Sequence, residues 1–297
     1  MSFEPVWGVP IALYLFLAGM GGGAFITATI IRWKHPQAVA MRKFAHYLSF
    51  IAVAIGLVLL MVDARAGFQN PLRFALLLTN FGSVMTWGVV FLAVFMIVNL
   101  IVCILDLRKA NVPWALEVVG SVFGVFVGVY TGALLGVAHT FPLWNSALLP
   151  ILFLVSAVST GAAAVLLYGA IRQPEELEQI TWVKTAHYFF PIVELILVAA
   201  LLFITFYNGE AGANSAISLL AGKYALAFWI GFIVVGLVGP AVIETFLTWR
   251  VGKKPKSNAA DRAGTIVADA GVLVGGFLLR YLIVVAALPI TLVVTVL

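Results

Sequence analysis

The chain has 297 residues, of which 63% are hydrophobic and only 10% are charged, and its mean hydropathy is +1.13. A soluble core cannot bury so large an apolar share, so lipid is the expected solvent for most of the protein. The net charge of +5 needs no nucleic-acid partner, because the basic residues are placed as in membrane proteins.

Eight apolar runs follow one another, each near the ~20 residues that a helix needs to cross the hydrocarbon layer. They are predicted at about 7–31, 44–61, 81–105, 114–137, 146–170, 183–207, 225–249 and 267–296. The first run is too long for a signal-peptide core and no basic residue precedes it, so we interpret it as a retained span. The predicted fold class is all-α integral membrane, with eight transmembrane helices.

Basic residues alternate between the connections. Thirteen of the 17 Lys and Arg residues lie in the first, third, fifth and seventh connections. This bias predicts that those connections are cytoplasmic, with contact to anionic lipid, and that both termini lie on the opposite, periplasmic side. Eight helices with short connections suggest two four-helix bundles, one in residues 1–140 and one in residues 141–297.

Several cofactor sites are not expected. Cys103 is the only cysteine, so an iron–sulfur cluster and an internal disulfide are both excluded. The run from Gly19 to Gly23 is similar to a phosphate-binding loop, but it lies inside an apolar span, where close helix packing is the better interpretation. His46 and His187 lie near cytoplasmic span ends, where two histidines can clamp a haem. A polar interfacial position explains them more simply, so we expect neither haem nor a metal site.

Span four carries a glycine at every fourth position, which predicts close approach of neighbouring helices. These residues are Gly120, Gly124, Gly128, Gly132 and Gly136. Tyr130 points away from this stripe and lies about two turns below the external surface. A tyrosine at that depth is either part of the aromatic belt or a ligand-binding residue.

Other polar or aromatic groups are predicted at the same external level. They are Tyr14, Asp63, Arg65, His139, Trp144 and Asn145. Together with Tyr130 they predict a pocket with an apolar body and a few hydrogen-bonding groups at its mouth, which suits a quinone ring and its isoprenoid tail.

Two charges lie deep within the spans. Glu194 and Arg280 are each placed roughly 17–20 Å from the cytoplasmic face at 1.5 Å per residue. A lone charge at that depth is costly, so the two are expected to pair or to share a water network. Two interpretations stay open, a structural pin of the second bundle and a proton-conducting element.

Further ionisable residues lie between these charges and the cytoplasm. His187 shares a helix face with Glu194, and Asp269 shares one with Arg280. With Glu244 and His46 these groups are candidates for a proton path. For Glu244, which lies near a helix end, an interfacial position is the simpler interpretation.

The motifs resemble those of the NrfD/polysulfide reductase membrane-subunit family from about Trp7 to Val285. The stretches that carry the resemblance are Asp63-Ala64-Arg65, Pro71-Leu72-Arg73-Phe74, Met85-Thr86-Trp87-Gly88, Tyr130-Thr131-Gly132, Pro142-Leu143-Trp144-Asn145, Leu148-Leu149-Pro150, Ser159-Thr160-Gly161-Ala162-Ala163 and Gly275-Gly276-Phe277-Leu278-Leu279-Arg280-Tyr281. Their order and spacing together are more specific than any single motif.

The resemblance implies an eight-helix subunit of the bacterial inner membrane without haem. It implies that this subunit exchanges electrons between membrane quinone, either menaquinone or ubiquinone, and a periplasmic iron–sulfur subunit. A molybdopterin catalytic subunit is the usual further partner. The family's quinone site lies on the external side of the first bundle, and its span-four tyrosine matches Tyr130. Some relatives place asparagine and histidine in span one, where this chain has Ile11-Ala12-Leu13-Tyr14, so Tyr14 is the candidate hydroxyl here.

Two other functions remain open. A secondary transporter is expected to show paired broken helices in two inverted halves, and Pro191 and Pro240 do not form such a pair. The other is a passive membrane anchor, which binds no ligand. The predicted cluster of polar residues at the external level argues against this function.

Overall fold

The computed structural model describes residues 7–63, 80–251 and 259–290. All regular structure in these ranges is helical, and eight of the helices are long and apolar enough to cross a membrane. The predicted all-α fold with eight spans is confirmed. Many large apolar side chains on the outer faces are exposed, as expected of surfaces that contact lipid.

The spans are named here in chain order. Spans one to five are Val9–Lys34, Val39–Asp63, Val84–Leu107, Trp114–Gly136 and Leu148–Arg172. Span six is Thr181–Phe206, span seven is Ala227–Val238 continued by Gly239–Val251, and span eight is Ala259–Val285. Short helices, Pro174–Gln179 and Gly209–Leu220, lie in the connections before and after span six.

Span eight differs most from its prediction, since it begins earlier and its helix ends at Val285 rather than near residue 296. Pro289 lacks an N–H and disfavours a helical residue before it, which favours an end of the helix ahead of this point. The chain instead binds its neighbours: Leu288 N–H donates to Ser215 Oγ at 3.0 Å, and Ile290 N–H donates to the Thr140 carbonyl at 2.9 Å.

The spans pack in two groups of four within the described residues. Spans one to four contact one another in a ring, and spans five to eight form a second ring. Spans one and five join the groups, and span one also touches span eight. We call the groups the first and second bundle; their boundary near residue 140 stays a prediction.

Glycines allow the close contact between spans one and five. A Cβ on Gly23 would overlap the Ala157 carbonyl, and a Cβ on Gly161 would overlap the backbone of Gly23. The Gly19–Gly23 run lies wholly inside span one. The expectation that it packs helices, rather than binding phosphate, is confirmed.

The glycine stripe of span four faces the same joint. Gly124 lies against the Gly22 backbone of span one, whereas Gly132 lies against Leu149 and Pro150 of span five. The predicted close approach is confirmed. Tyr130 lies on the opposite face of span four from these glycine contacts, and this face packs against span three.

Span seven begins as a π-helix, Ala227–Val238, and becomes α-helical from Gly239. Pro240 offers no N–H to the carbonyl four residues before it, and the Gly239 N–H bonds the Val234 carbonyl five residues back. The wider turns change the register of the helix that follows. Glu244 consequently lies on the side of span seven that faces spans six and eight.

Candidate functional site

Tyr14 and Tyr130 lie together at the end of the first bundle opposite the basic connections. Tyr14 is about 8 Å along span one from Val9, and Tyr130 is about 9 Å from the far end of span four, at 1.5 Å per residue. The two side chains are 0% and 7% exposed. Their phenols are close enough to interact electrostatically, so the fold brings together two tyrosines that are distant in the sequence.

Gly88 of span three provides the seat of Tyr130. A Cβ at this position would overlap the ring and hydroxyl of Tyr130. The sequence motif included Gly88 but gave it no role. A glycine inside a strongly apolar span, next to Trp87, is the signal that marks such a close approach.

The Tyr14 hydroxyl makes no hydrogen bond to any residue that the structure describes. Its ring lies beside Gly56, where an added Cβ would be 3.5 Å from Tyr14 Cδ2, an ordinary contact. A buried hydroxyl without a partner is costly. Its position next to Tyr130 makes it a candidate for contact with a ligand.

The remaining predicted mouth residues occupy different positions. Asp63 is the half-buried last residue of span two. His139 is exposed, with Nδ1 3.3 Å from Asn145 Oδ1. Arg65 lies outside the described residues.

Trp144 is almost fully buried and joins the two bundles. Its Nε1–H donates to the Ile283 carbonyl at 2.7 Å, and its ring stacks on Trp7 with 5.2 Å between centroids. The indole N–H therefore already has a protein acceptor, and the ring packs against Trp7 and Phe141, so Trp144 contributes packing at this position.

Arg280 lies at the junction of spans one, five and eight and is 0% exposed. Its guanidinium donates to the Leu15 and Gly276 carbonyls at 3.2 and 2.8 Å and to Ser156 Oγ at 3.0 Å. An added Cβ on Gly19 would lie only 2.8 Å from Arg280 Nη2. The first glycine of the run thus makes room for this guanidinium.

Glu194 is buried in span six, with Ser159 of span five against its carboxylate. It attracts Arg280 electrostatically, but the two form no direct ion pair among the described residues. Arg280 satisfies its N–H groups with carbonyls and a hydroxyl instead. These contacts favour the structural interpretation of Arg280, and the proton path stays a prediction.

A buried ionic cluster lies at the basic end of the first bundle, and we call it the His46 cluster. His46 Nδ1 is 2.7 Å from Asp106 Oδ2, and Arg32 Nη1 is 2.8 Å from Glu117 Oε2. His46 Nε2 also lies 3.8 Å from Glu117 Oε1. Each carboxylate thus has a close partner of its own.

Sequence reasoning found His46 and missed the two carboxylates. Asp106 lies one residue from the end of span three, and Glu117 lies in the first turn of span four. Acidic residues at facing ends of two helices joined by the short connection 108–113 lie at the same level. That pairing was the signal available in the sequence.

The second bundle holds a similar set, which we call the His187 cluster. His187 Nε2 is 3.5 Å from Glu244 Oε1 and 3.4 Å from Asp269 Oδ1. The residues come from spans six, seven and eight, and Lys184 is within electrostatic range of Asp269. Glu244 is therefore not an isolated interfacial residue, and three residues of the predicted proton path do converge.

Comparison with known proteins decides the family. The profile of the family "Polysulphide reductase, NrfD" matches residues 1–291. The chain belongs to this NrfD family. It is accordingly a multi-pass integral membrane protein of the bacterial inner membrane, as predicted.

Individual NrfD relatives agree over most of the chain. One chain of the polysulfide reductase of Wolinella succinogenes is 31% identical over 303 aligned residues, which cover 93% of each protein. Protein NrfD of Escherichia coli strain K12 is 29% identical, and the alignment covers 95% of this chain and 94% of that protein. One subunit of the selenate reductase of Mesobacillus selenatarsenatis is 25% identical, and the alignment covers 80% of this chain and 66% of that protein.

Family membership gives the coarse function. NrfD proteins are quinone-interacting membrane subunits of oxidoreductase complexes. The predicted resemblance and the predicted class of function are confirmed at this level. The identity of the residues that contact quinone stays a prediction.

Proposed function

We propose that the Tyr14–Tyr130 region is the quinone site of a respiratory oxidoreductase subunit. The observation that carries the proposal is the buried Tyr14 hydroxyl, which lacks a hydrogen-bond partner among the described residues and lies beside Tyr130 on its Gly88 seat. Two phenol hydroxyls in an otherwise apolar setting can hydrogen-bond the oxygens of a quinone ring. A menaquinone or ubiquinone tail then extends along the apolar spans into lipid.

The proposed reaction is a two-electron exchange. A quinol loses two electrons and two protons when it becomes a quinone, and the reverse reaction takes them up. Tyr130 and Tyr14 would hold the ring, while Asp63 or His139 at the mouth would accept a proton. Histidine is suited to that task because its ordinary pKa lies closest to ambient pH.

The electrons must pass to a partner. The single cysteine of this protein does not suffice to ligate an iron–sulfur cluster. We therefore propose a periplasmic subunit with several [4Fe-4S] clusters, docked over the Tyr14–Tyr130 end, and a molybdopterin catalytic subunit beyond it. The bias of basic residues to the opposite end supports this orientation.

Tyr130→Phe in the native complex tests the site. Removing one hydrogen bond to the ring is expected to lower kcat/KM for quinol roughly 10-fold, about the 1.4 kcal/mol of one good hydrogen bond. Tyr281→Phe, a half-buried tyrosine of the second bundle, is the matched control and should retain wild-type turnover. Both variants are assayed over a range of quinol concentrations after the assembled complex has been quantified.

Unchanged quinol kinetics in Tyr130→Phe would remove this residue from the site. The composition of the complex separates the other functions. Iron–sulfur partners together with bound quinone support an electron-transfer subunit, and partners without quinone indicate a passive anchor. A protein that purifies without partners and accumulates solute in vesicles is a transporter.

A further inference from the structure

The His187 cluster has the geometry of a cation site. Spans six, seven and eight each contribute one side chain, and one ligand atom from each lies within 4.8 Å of the other two. Both carboxylates approach the same ring nitrogen, His187 Nε2, at 3.5 and 3.4 Å. Three donor atoms thus surround a common point.

The separations distinguish a coordination site from a hydrogen-bonded triad. Hydrogen bonds between such groups have donor–acceptor distances of roughly 2.7–3.2 Å. When nitrogen and oxygen ligands lie about 2.1 Å from a tetrahedral Zn²⁺, they are about 3.4 Å from each other. The two distances at His187 match this second spacing.

The hydrogen-bonding state of the cluster agrees. His187 and Asp269 are 1% and 0% exposed. His187 and Asp269 attract each other across the long separation of 3.4 Å, and among the residues that the structure describes no other group hydrogen-bonds the Asp269 carboxylate or His187 Nδ1. A buried carboxylate with one distant partner is costly, and Lys184, the nearby cation, acts on Asp269 only through space.

The His46 cluster provides an internal comparison. There the same residue types are joined directly, with a His46–Asp106 distance of 2.7 Å and an Arg32–Glu117 distance of 2.8 Å. An arginine supplies the positive charge in the first bundle. At the corresponding end of span five, Arg172 is exposed to the surroundings.

We propose that His187, Glu244 and Asp269 bind one divalent first-row cation, with Zn²⁺ as the metal that suits one imidazole and two carboxylates. The two carboxylate charges balance the metal charge, and three protein ligands leave a fourth position for water. The cation ties spans six, seven and eight together. The side chain of Glu244 is 16% exposed, which gives the ion an entry from the surface.

The test uses the whole purified complex. It is treated with a chelator, titrated with Zn²⁺, and analysed for bound metal per copy of this protein by mass spectrometry. We expect one Zn²⁺ per copy beyond any held by partner subunits. Asp269→Asn and His187→Gln should weaken that binding at least about 100-fold, because loss of a ligand exceeds the usual effect of an outer-shell change.

Asp106→Asn is the matched control, since it alters the other buried histidine–carboxylate cluster and should keep the Zn²⁺ stoichiometry. Substitution of Co²⁺ into His187→Cys adds a second readout. A thiolate-to-cobalt charge-transfer band is expected only when the metal is bound at this position. This variant keeps a metal ligand, so it also serves if the Asn variant does not assemble.

The proposal is overturned if the wild-type complex neither retains nor takes up a stoichiometric divalent ion. It is also overturned if Asp269→Asn and His187→Gln bind as much Zn²⁺ as wild type. Either result would leave the cluster as a network of protons and water, the role predicted for these residues from the sequence.

Discussion

The first and second bundles place the same residue types at the same end. In each, the second span carries a histidine and the third and fourth spans carry a carboxylate, giving His46 with Asp106 and Glu117, and His187 with Glu244 and Asp269. The opposite ends differ. The first bundle has Tyr14 and Tyr130 there. At the same end of the second bundle there is a small cavity that is lined by apolar side chains. These are Val198, Leu201, Leu202, Leu219, Phe228, Phe232, Leu279, Leu282 and Ile283.

This comparison distinguishes the residues that hold the helices together, which we call the frame, from the residues proposed to bind quinone. Both bundles use glycine-rich contacts and buried charges to fix helices in place, but the two buried phenols at the end proposed for quinone, Tyr14 and Tyr130, lie in the first. Arg280 reaches the first bundle through the Leu15 carbonyl. Trp144 reaches it by stacking on Trp7, while its N–H binds the Ile283 carbonyl of span eight. The second bundle thus contacts span one, which carries Tyr14, directly at this joint.

Arg280→Gln is expected to give the largest effect, because the joint depends on this side chain. The change removes contacts to Leu15 and Ser156 and leaves the buried Glu194 without its positive neighbour. Breaking a buried charge arrangement in this way costs about 3–5 kcal/mol. We expect a sharp fall in the thermal denaturation midpoint, or failure to accumulate in the membrane.

Arg172→Gln is the control for this prediction, since Arg172 is exposed at the end of span five. Restoring partial stability to Arg280→Gln by adding Glu194→Gln would show that the stranded carboxylate is part of the cost. Wild-type stability of Arg280→Gln would mean that the two bundles are joined by helix packing alone.

The frame was largely predictable from the sequence because apolar length and glycine spacing are local properties. Eight runs of about 20 apolar residues gave eight helices, and four of the five glycines in the span-four stripe, all but Gly136, are at close contacts. The end of span eight was misplaced because the run stays apolar through Pro289. Backbone hydrogen bonding, which apolar composition does not record, ends the helix there.

Gly88→Ala is expected to impair quinol turnover without preventing assembly of the complex. The new methyl group overlaps the Tyr130 ring, so the phenol must move, and kcat/KM for quinol should fall by at least the roughly 10-fold expected for loss of the Tyr130 hydrogen bond. Gly56→Ala, beside Tyr14, adds its Cβ at ordinary contact distances of 3.5 Å. It should keep near-normal turnover.

Equal loss of turnover in Gly88→Ala and Gly56→Ala would point to a general effect of glycine replacement. The turnover of the two variants can be compared only if both complexes assemble to the same level. Quantification of the protein in purified membranes supplies that measurement.

Site residues were harder to predict than the frame, because partners come from distant parts of the chain. Tyr130 was found through its motif, but Gly88, which seats it, and Asp106, which binds His46, show their roles only when spans two, three and four are packed. Asp106 and Glu117 lie near span ends, where charged residues are common. The sequence gives the type of these two residues and their depth in the membrane, but it does not show which neighbouring helix their side chains face.

Asp106→Asn tests the His46 cluster with a smaller expected change. The His46–Asp106 contact of 2.7 Å loses its charge, and the buried imidazole keeps only a weaker neutral acceptor. Removing one member of a buried polar pair costs about 1–3 kcal/mol. A lower thermal midpoint with unchanged quinol KM is expected, and a raised quinol KM would connect the basic end with the quinone site.

Tyr14→Phe is expected to have the smallest effect on stability and the opposite sign. The hydroxyl is buried without a hydrogen bond among the described residues, so its removal should stabilise the quinone-free complex by about 1 kcal/mol. If the hydroxyl binds quinone, the same change should weaken quinol binding, and added quinone should stabilise the variant less than wild type. A thermal shift series with and without quinone measures both quantities. If quinone stabilises Tyr14→Phe and wild type equally, the Tyr14 hydroxyl does not bind quinone, and Tyr14 serves only in helix packing.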